Sequence, residues 1–191
     1  MSDYPFDPWQ KVKTASGLPA DEVISALQKE IRRNNVENAA VLAYEMAITS
    51  EELEDYLWSR LMVISVEDIG FADCSAPVLI GSLNKMRKTV QSTGDRRMFA
   101  IHAVRYLCQC KKDRSSDEMY SWIKKEYKAG NLRPGIPEYA LDKHTLRGQQ
   151  AGKGDMDFYA NGSVVSPEWE DRDRTYRDRI LKIIGDKESD N

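Results

Sequence analysis

The chain has 191 residues, enough for one domain with a full hydrophobic core or one domain with an appended subdomain, and too few for two independent domains. No apolar run approaches the ~20 residues that a membrane span needs, and the acidic opening MSDYPFDPWQ lacks the basic-then-apolar order of a secretory leader, so a cytoplasmic protein without a membrane partner is expected. The net charge of −3 conceals a segregation: residues 1–84 carry six Lys/Arg against fourteen Asp/Glu, residues 85–114 nine against two, and residues 115–191 thirteen against fifteen.

Residues 1–19 set the aromatic anchors Tyr4, Phe6 and Trp9 among prolines and read as an arm rather than a domain. From residue 20 to about 130 the periodicity is helical, which predicts an all-α core. DEVISALQKEIRRNN places Val23, Ile24, Leu27 and Ile31 on one face and stops at Asn34-Asn35. VENAAVLAYEMAI follows with a small-residue face of Ala39, Ala40, Ala43 and Ala47, completing a helical hairpin.

Thr49 and Glu52 have capping-box spacing, so a third helix is expected through Leu53, Leu57, Leu61 and Ile64 into the motif ISVEDIGFAD. Ser75 and Pro77 open a fourth helix through Leu79, Leu83, Met86 and Val90, stopped near Gly94. A fifth starts around Asp95 with Phe99, Ala103, Tyr106 and Cys110. Ser115 and Glu118 form a second capping box for a sixth helix through Met119, Trp122, Ile123 and Glu126, closed by Gly130.

Proline and glycine in NLRPGIPEYA break the rhythm, and residues 131–184 read as a closing segment. Asn161-Gly162 lies between short apolar stretches and predicts a short β-hairpin or loop insertion within residues 154–166. A charged last helix is expected from Ser166-Pro167, with Trp169, Tyr176, Ile180 and Ile183 as its buried stripe. Residues 185–191 are expected to be a disordered tail.

The segments DEVISALQKEIRRNNVENAAVLAYEMA and EELEDYLWSRLMVISVEDIGFAD, with AIHAVRYL and GIPEYALDKHTLRGQQAGKG later, resemble the C-terminal part of the RarA/MgsA family over residues 21–184. These are AAA+ replication-associated recombination ATPases, among them the eukaryotic Werner-helicase-interacting protein. Val66 follows Ser65 where the family pattern runs straight into Glu-Asp-Ile-Gly, and KKDRSSDEMYSW stands in place of a shorter turn. The resemblance implies a helical domain of clamp-loader-collar type that drives tetramer formation beside DNA-processing ATPase modules. No G-x-x-x-x-G-K-[ST] occurs in the chain, so the P-loop cradle for ATP phosphates is missing from it.

Glu67, Asp68 and Asp73 raise the question of a metal or acid/base site. Adjacent helical residues diverge by about 100°, which favours a helix stop at Gly70 with Asp73 or Ser75 capping the next helix, and acids paired with Arg60 or with the basic block. His102 reads as a structural histidine. His144 has Asp142 beside it but no nucleophile motif, and two histidines with Cys108 and Cys110 make no zinc spacing. With Cys74 the cysteines are odd in number, which points to reduced thiols.

The basic block marks either a phosphate-binding surface or a complement to the acidic half, within the fold or across an oligomer interface. Its candidate DNA contacts are Lys85, Arg87, Lys88, Arg96, Arg97, Lys111, Lys112 and Arg114, joined by Lys143, Arg147 and Lys153 from KHTLRGQQAGKG. Arg172, Arg174, Arg177 and Arg179 alternate with acids as a self-neutralising face. The leading expectation is a non-enzymatic homotetrameric module for DNA replication, recombination or repair, without cofactor or metal, working with a separate AAA+ ATPase. The alternatives are a stand-alone DNA-binding protein using residues 85–114 and a small hydrolase centred on His144.

Overall fold

The computed structural model describes residues 7–189, with side chains through residue 186; Tyr4 and Phe6 lie outside the described residues. The chain divides into two compact units, one ending at Ala129 and the other starting at Gly130. Among the described residues the architecture is all-helical, and the only extended pairing is an isolated bridge between Lys13 and Pro19. None of these helices is long and apolar enough to cross a membrane.

The first unit holds α1 (Ala20–Arg32), α2 (Val36–Thr49), α3 (Glu51–Ile64), α4 (Ala76–Arg87), α5 (Thr93–Gln109) and α6 (Ser115–Ala129). Val23, Leu27 and Ile31 of α1 face Ala39, Ala43, Met46 and Ala47 of α2, and Ala100, Ala103, Val104 and Leu107 of α5 close over the same layer. The small-residue face of α2 is therefore buried within the chain at Ala39, Ala43 and Ala47, because small side chains let α1 and α5 approach the α2 backbone. Leu53, Leu57, Trp58, Leu61 and Ile64 carry α3 through the centre of this core.

Several helix ends sit beside their expected places. Ser50, rather than Thr49, caps α3 by accepting from the Leu53 amide at 3.1 Å, while the Thr49 hydroxyl donates to the Glu45 carbonyl at 2.7 Å. α4 stops at Arg87 and buries Ala76, Ile80, Leu83 and Arg87, leaving Met86 exposed. Ser92 caps α5 by accepting from the Asp95 amide, and Asp113 accepts from the Ser115 amide ahead of α6. His102 is exposed on α5 rather than part of the core.

Residues 7–19 belong to the first unit and lie against its helices. The Trp9 ring meets Tyr56 with centroids 5.1 Å apart, Ala15 N donates to Thr49 Oγ1, and the Ser16 amide and hydroxyl both donate to Glu45.

The second unit contains α7 (Leu146–Gln150), α8 (Asp155–Asp157) with a π-turn at Phe158–Gly162, and α9 (Thr175–Ser189). The β-hairpin expected at Asn161-Gly162 is replaced by that helical turn. Asn161 Nδ2 donates back to Asp157 Oδ1 at 2.9 Å, and Gly162 crosses the Phe158 ring where an added Cβ would lie 3.0 Å from the ring edge. Residues 166–174 are irregular, and Asp173 Oδ1 caps α9 from the Thr175 amide. Trp169, Tyr176 and Ile183 are exposed and Ile180 is half-buried, so the expected stripe is not a core face. The tail expected from residue 185 is helical through Ser189, as the last part of α9, with Gly185 beside Met156 of α8.

Replacing Ala43 by Leu is expected to cost ~1–3 kcal/mol by overpacking the α1, α2 and α5 contact. Urea unfolding would measure it, and an unchanged midpoint would show that α2 is not confined there.

Candidate functional site

The motif at the end of α3 leaves the α-helix in a π-turn, Ser65–Ile69, in which Ser65, Asp68 and Ile69 are buried. The wider turn brings the two adjacent carboxylates together, contrary to the divergence expected of a regular helix. Gln28 Nε2 reaches both, at 2.7 Å to Glu67 Oε1 and 2.9 Å to Asp68 Oδ2. Arg32 Nε donates to Asp68 at 2.5 Å, Arg114 Nη1 donates to Asp68 at 2.7 Å and Glu67 at 3.3 Å, and Arg60 lies 3.9 Å from Glu67.

This arrangement joins α1, α3 and the start of α6. The backbone follows suit, with the Asp113 amide donating to the Asp68 carbonyl at 2.9 Å. Gly70 has φ +53°, and a Cβ there would stand 2.5 Å from the Asp113 carbonyl oxygen, so both its conformation and its surroundings require glycine. Burial alone would raise the Asp68 carboxyl, but hydrogen bonds from Arg32, Gln28 and Arg114 outweigh it and hold its pKa below the ordinary aspartate value. Three guanidiniums already answer two carboxylates, and among the described residues no group of His, Cys, Asp and Glu could hold a metal ion.

Asp73, the third acid of the motif, ties α4 to α5. Its carboxylate accepts from the Ser75 amide and hydroxyl and, at 2.7 Å, from the Tyr106 hydroxyl. Hydrogen bonds from Ser75 and Tyr106 pull its pKa down to about 2, and burial drives Tyr106 up to about 12.

A second ion cluster lies at the opposite end of α3. Glu54 is buried and receives Arg87 at 3.2 Å and Arg96 at 2.8 Å; Arg87 also pairs with Asp55 and sits 5.4 Å from the Trp58 ring centroid. Two sequence signals mark this cluster. Glu54 falls on the same helical face as Leu57 and Leu61, and Arg87 extends the Ile80–Leu83 stripe, so each charge needs a buried partner of opposite sign.

These contacts sort the candidate DNA residues. Arg87, Arg96 and Arg114 direct their guanidiniums at carboxylates of the same chain, and Lys112 donates to the Leu107, Cys108 and Cys110 carbonyls at the end of α5. Burial lowers the Lys112 pKa. Arg97 lies 5.8 Å from the Tyr44 ring centroid, while Lys85, Lys88 and Lys111 are exposed. In the second unit Lys143 pairs with Asp155 over the Phe158 ring, Lys153 donates to Glu138 at 3.0 Å, and Arg147 is exposed beside them.

Asp142 accepts from the His144 amide at 2.9 Å and lies 3.1 Å from its Nδ1. The neighbouring Thr145 hydroxyl donates to the Asp142 carbonyl and accepts from the Gly148 amide, so it caps α7. An added Cβ at Gly148 would fall 2.0 Å from the Asp142 carbonyl oxygen. These bonds make a tightly wound turn. Glu168 binds Arg172 and Arg174, and Arg177 donates to the Tyr159 carbonyl.

The remaining feature is apolar. α6 buries none of its residues, and Met119, Tyr120, Trp122, Ile123 and Tyr127 are all exposed. Beside its first turn, Met62, Val63, Val66 and Tyr120 line a groove of ≈ 490 Å³ with Glu67, Ser116 and Asp117. Sequence periodicity identified the stripe on α6 but assigned it no exposure.

A family model described as MgsA AAA+ ATPase C terminal matches residues 35–169. No curated protein matches the chain.

Replacing Asp68 by Asn is expected to cost ~3–5 kcal/mol at neutral pH, since Arg32 and Arg114 lose the charge that compensates them. A carboxylate held below its unfolded pKa stabilises fully above about pH 4 and loses that contribution as pH falls through the folded value. The gap between wild type and Asp68→Asn in urea unfolding should therefore narrow on acidification towards that folded value. A gap under ~1 kcal/mol at pH 7 would show that the cluster is not a clasp.

Proposed function

This chain belongs to the MgsA AAA+ ATPase C-terminal family, and we propose that it acts as a non-enzymatic assembly module, a homotetramer, for AAA+ machinery in DNA replication, recombination or repair. It carries a module of that ATPase class, and the motor is supplied by a P-loop ATPase with which it works. The reading rests on one contrast of surfaces. Strong cations of the basic block are taken up inside the chain, whereas a helix rich in aromatic side chains is left exposed. Contiguous exposed apolar surface of this kind favours protein partners over solvent.

DNA contact by residues 85–114 is the second reading, favoured by the exposed Lys85, Lys88 and Lys111. Arg87, Arg96, Lys112 and Arg114 serve it less well, because releasing them leaves buried carboxylates or carbonyls unpaired. A hydrolase at His144 has less support still: the adjacent Thr145 hydroxyl is committed to capping α7.

Light scattering over a tenfold concentration range should give a mass near four chains, and a monomer throughout would overturn the assembly reading. For the DNA reading, Lys85→Glu, Lys88→Glu and Lys111→Glu together are expected to leave that mass unchanged. If the same triple variant abolished salt-sensitive DNA binding by the wild type, the DNA reading would take precedence.

A further inference from the structure

The structure assigns a phosphate-binding pocket to the second unit, built from Arg172, Arg174 and Arg177 and suited to the dianionic phosphate of a small monoester or of free phosphate. The pocket is independent of the assembly reading, and its three arginines lie past residue 169, where the family match ends. Ser163, Val164, Val165 and Glu168 complete the lining of a cavity of ≈ 200 Å³. That is smaller than the ~300–1,000 Å³ of pockets that hold whole drug-sized ligands, so the occupant is a compact group.

Charge gives the class of that group. These arginines alternate with acids in sequence, but the alternation does not carry into the pocket. Among the described residues Glu168 is the one carboxylate in the lining, and Arg172 and Arg174 both pair with it. Asp173 is spent on the Thr175 amide at the start of α9, and Glu170, Asp171 and Asp178 are exposed outside the lining. Three guanidiniums against one carboxylate leave two positive charges in excess, which a phosphate dianion neutralises and a second carboxylate would not.

The donors are held in place and have capacity left. Glu168 keeps Arg172 and Arg174 side by side, one on each carboxylate oxygen. The π-turn fixes Arg177, whose Nη2 donates to the Tyr159 carbonyl at 2.8 Å, and the Ser163 hydroxyl donates to the same oxygen at 3.2 Å. A guanidinium carries several N–H groups and each of the three commits a single nitrogen to these contacts, which leaves donors for the oxygens of a phosphate. Val164 and Val165 form an apolar wall beside them, and charge-assisted hydrogen bonds strengthen where apolar surface displaces water.

The test is calorimetric titration of the full chain at low ionic strength and about pH 8, where a phosphate monoester, with its second pKa near ~6, is dianionic. Inorganic phosphate, methyl phosphate and dimethyl phosphate are the probes. The first two should bind, and dimethyl phosphate, a monoanion, should bind more weakly by roughly tenfold or more. Tighter binding of methyl phosphate than of inorganic phosphate would assign the ester as the ligand, and the reverse order free phosphate. Arg174→Gln is expected to weaken methyl phosphate roughly tenfold, the loss of one charge-assisted hydrogen bond, with circular dichroism unchanged because the residue is exposed. Arg172→Gln should show the same loss. Arg179→Gln removes an equal charge from α9 outside the lining, beside Tyr176, and should bind like the wild type. A loss in Arg179→Gln equal to that in Arg174→Gln would overturn the pocket in favour of diffuse surface charge. The assignment also fails if dimethyl phosphate binds as tightly as methyl phosphate, or if the wild type takes up neither dianion at about 10 mM.

Discussion

Two buried carboxylates, one near each end of α3, organise the first unit. Glu54 draws in Arg87 from α4 and Arg96 from α5, and Asp68 draws in Arg32 from α1 and Arg114 from the start of α6. They stand roughly 20 Å apart along the helix axis. An uncompensated carboxylate in such surroundings would cost several kcal/mol, so each helix that supplies an arginine is held in register with α3. Apolar packing between them provides bulk stability without direction, and the ion clusters supply the direction.

That division explains the charge segregation of the chain. Three of the five arginines in the basic block from 85 to 114, Arg87, Arg96 and Arg114, answer carboxylates from the preceding acidic stretch inside the fold. Lys112 serves a related end by satisfying carbonyls at the end of α5, where the helix leaves acceptors unpaired. Lys85, Lys88, Arg105 and Lys111 remain exposed on the surface, while Arg87, Arg96 and Arg114 face carboxylates of the same chain. In this chain much of the local positive charge of that block belongs to the wiring of the bundle.

The motif at residues 64–73 joins three constraints in ten residues. Its π-turn aims Glu67 and Asp68 at the same partners, Gly70 makes room for the Asp113 carbonyl, and Asp73 holds Ser75, just before α4, together with Tyr106 of α5. Through Asp113 and Arg114 it also anchors α6, whose Met119, Tyr120 and Trp122 are exposed. The clasp that closes the core thus also fixes the start of α6.

The sequence by itself determined the all-helical class, the six helices of the first unit to within a few residues, and the family. Helical periodicity and caps are local properties, readable wherever apolar spacing such as Val23, Leu27 and Ile31 is regular. It also placed Arg60 and the basic block as partners for Glu67 and Asp68, since charge complementarity is visible in composition. Tertiary structure decided what depends on a neighbour distant in sequence: the π-turn that makes adjacent carboxylates converge, the burial of Arg87 and Glu54, and the enclosure of the alanine face by α5. It likewise turned Asn161-Gly162 into a helical bend, because Asp157 and the Phe158 ring offered that turn partners a hairpin would not have. A side chain's spacing fixes the face it occupies, but which element covers that face is settled only by the rest of the fold.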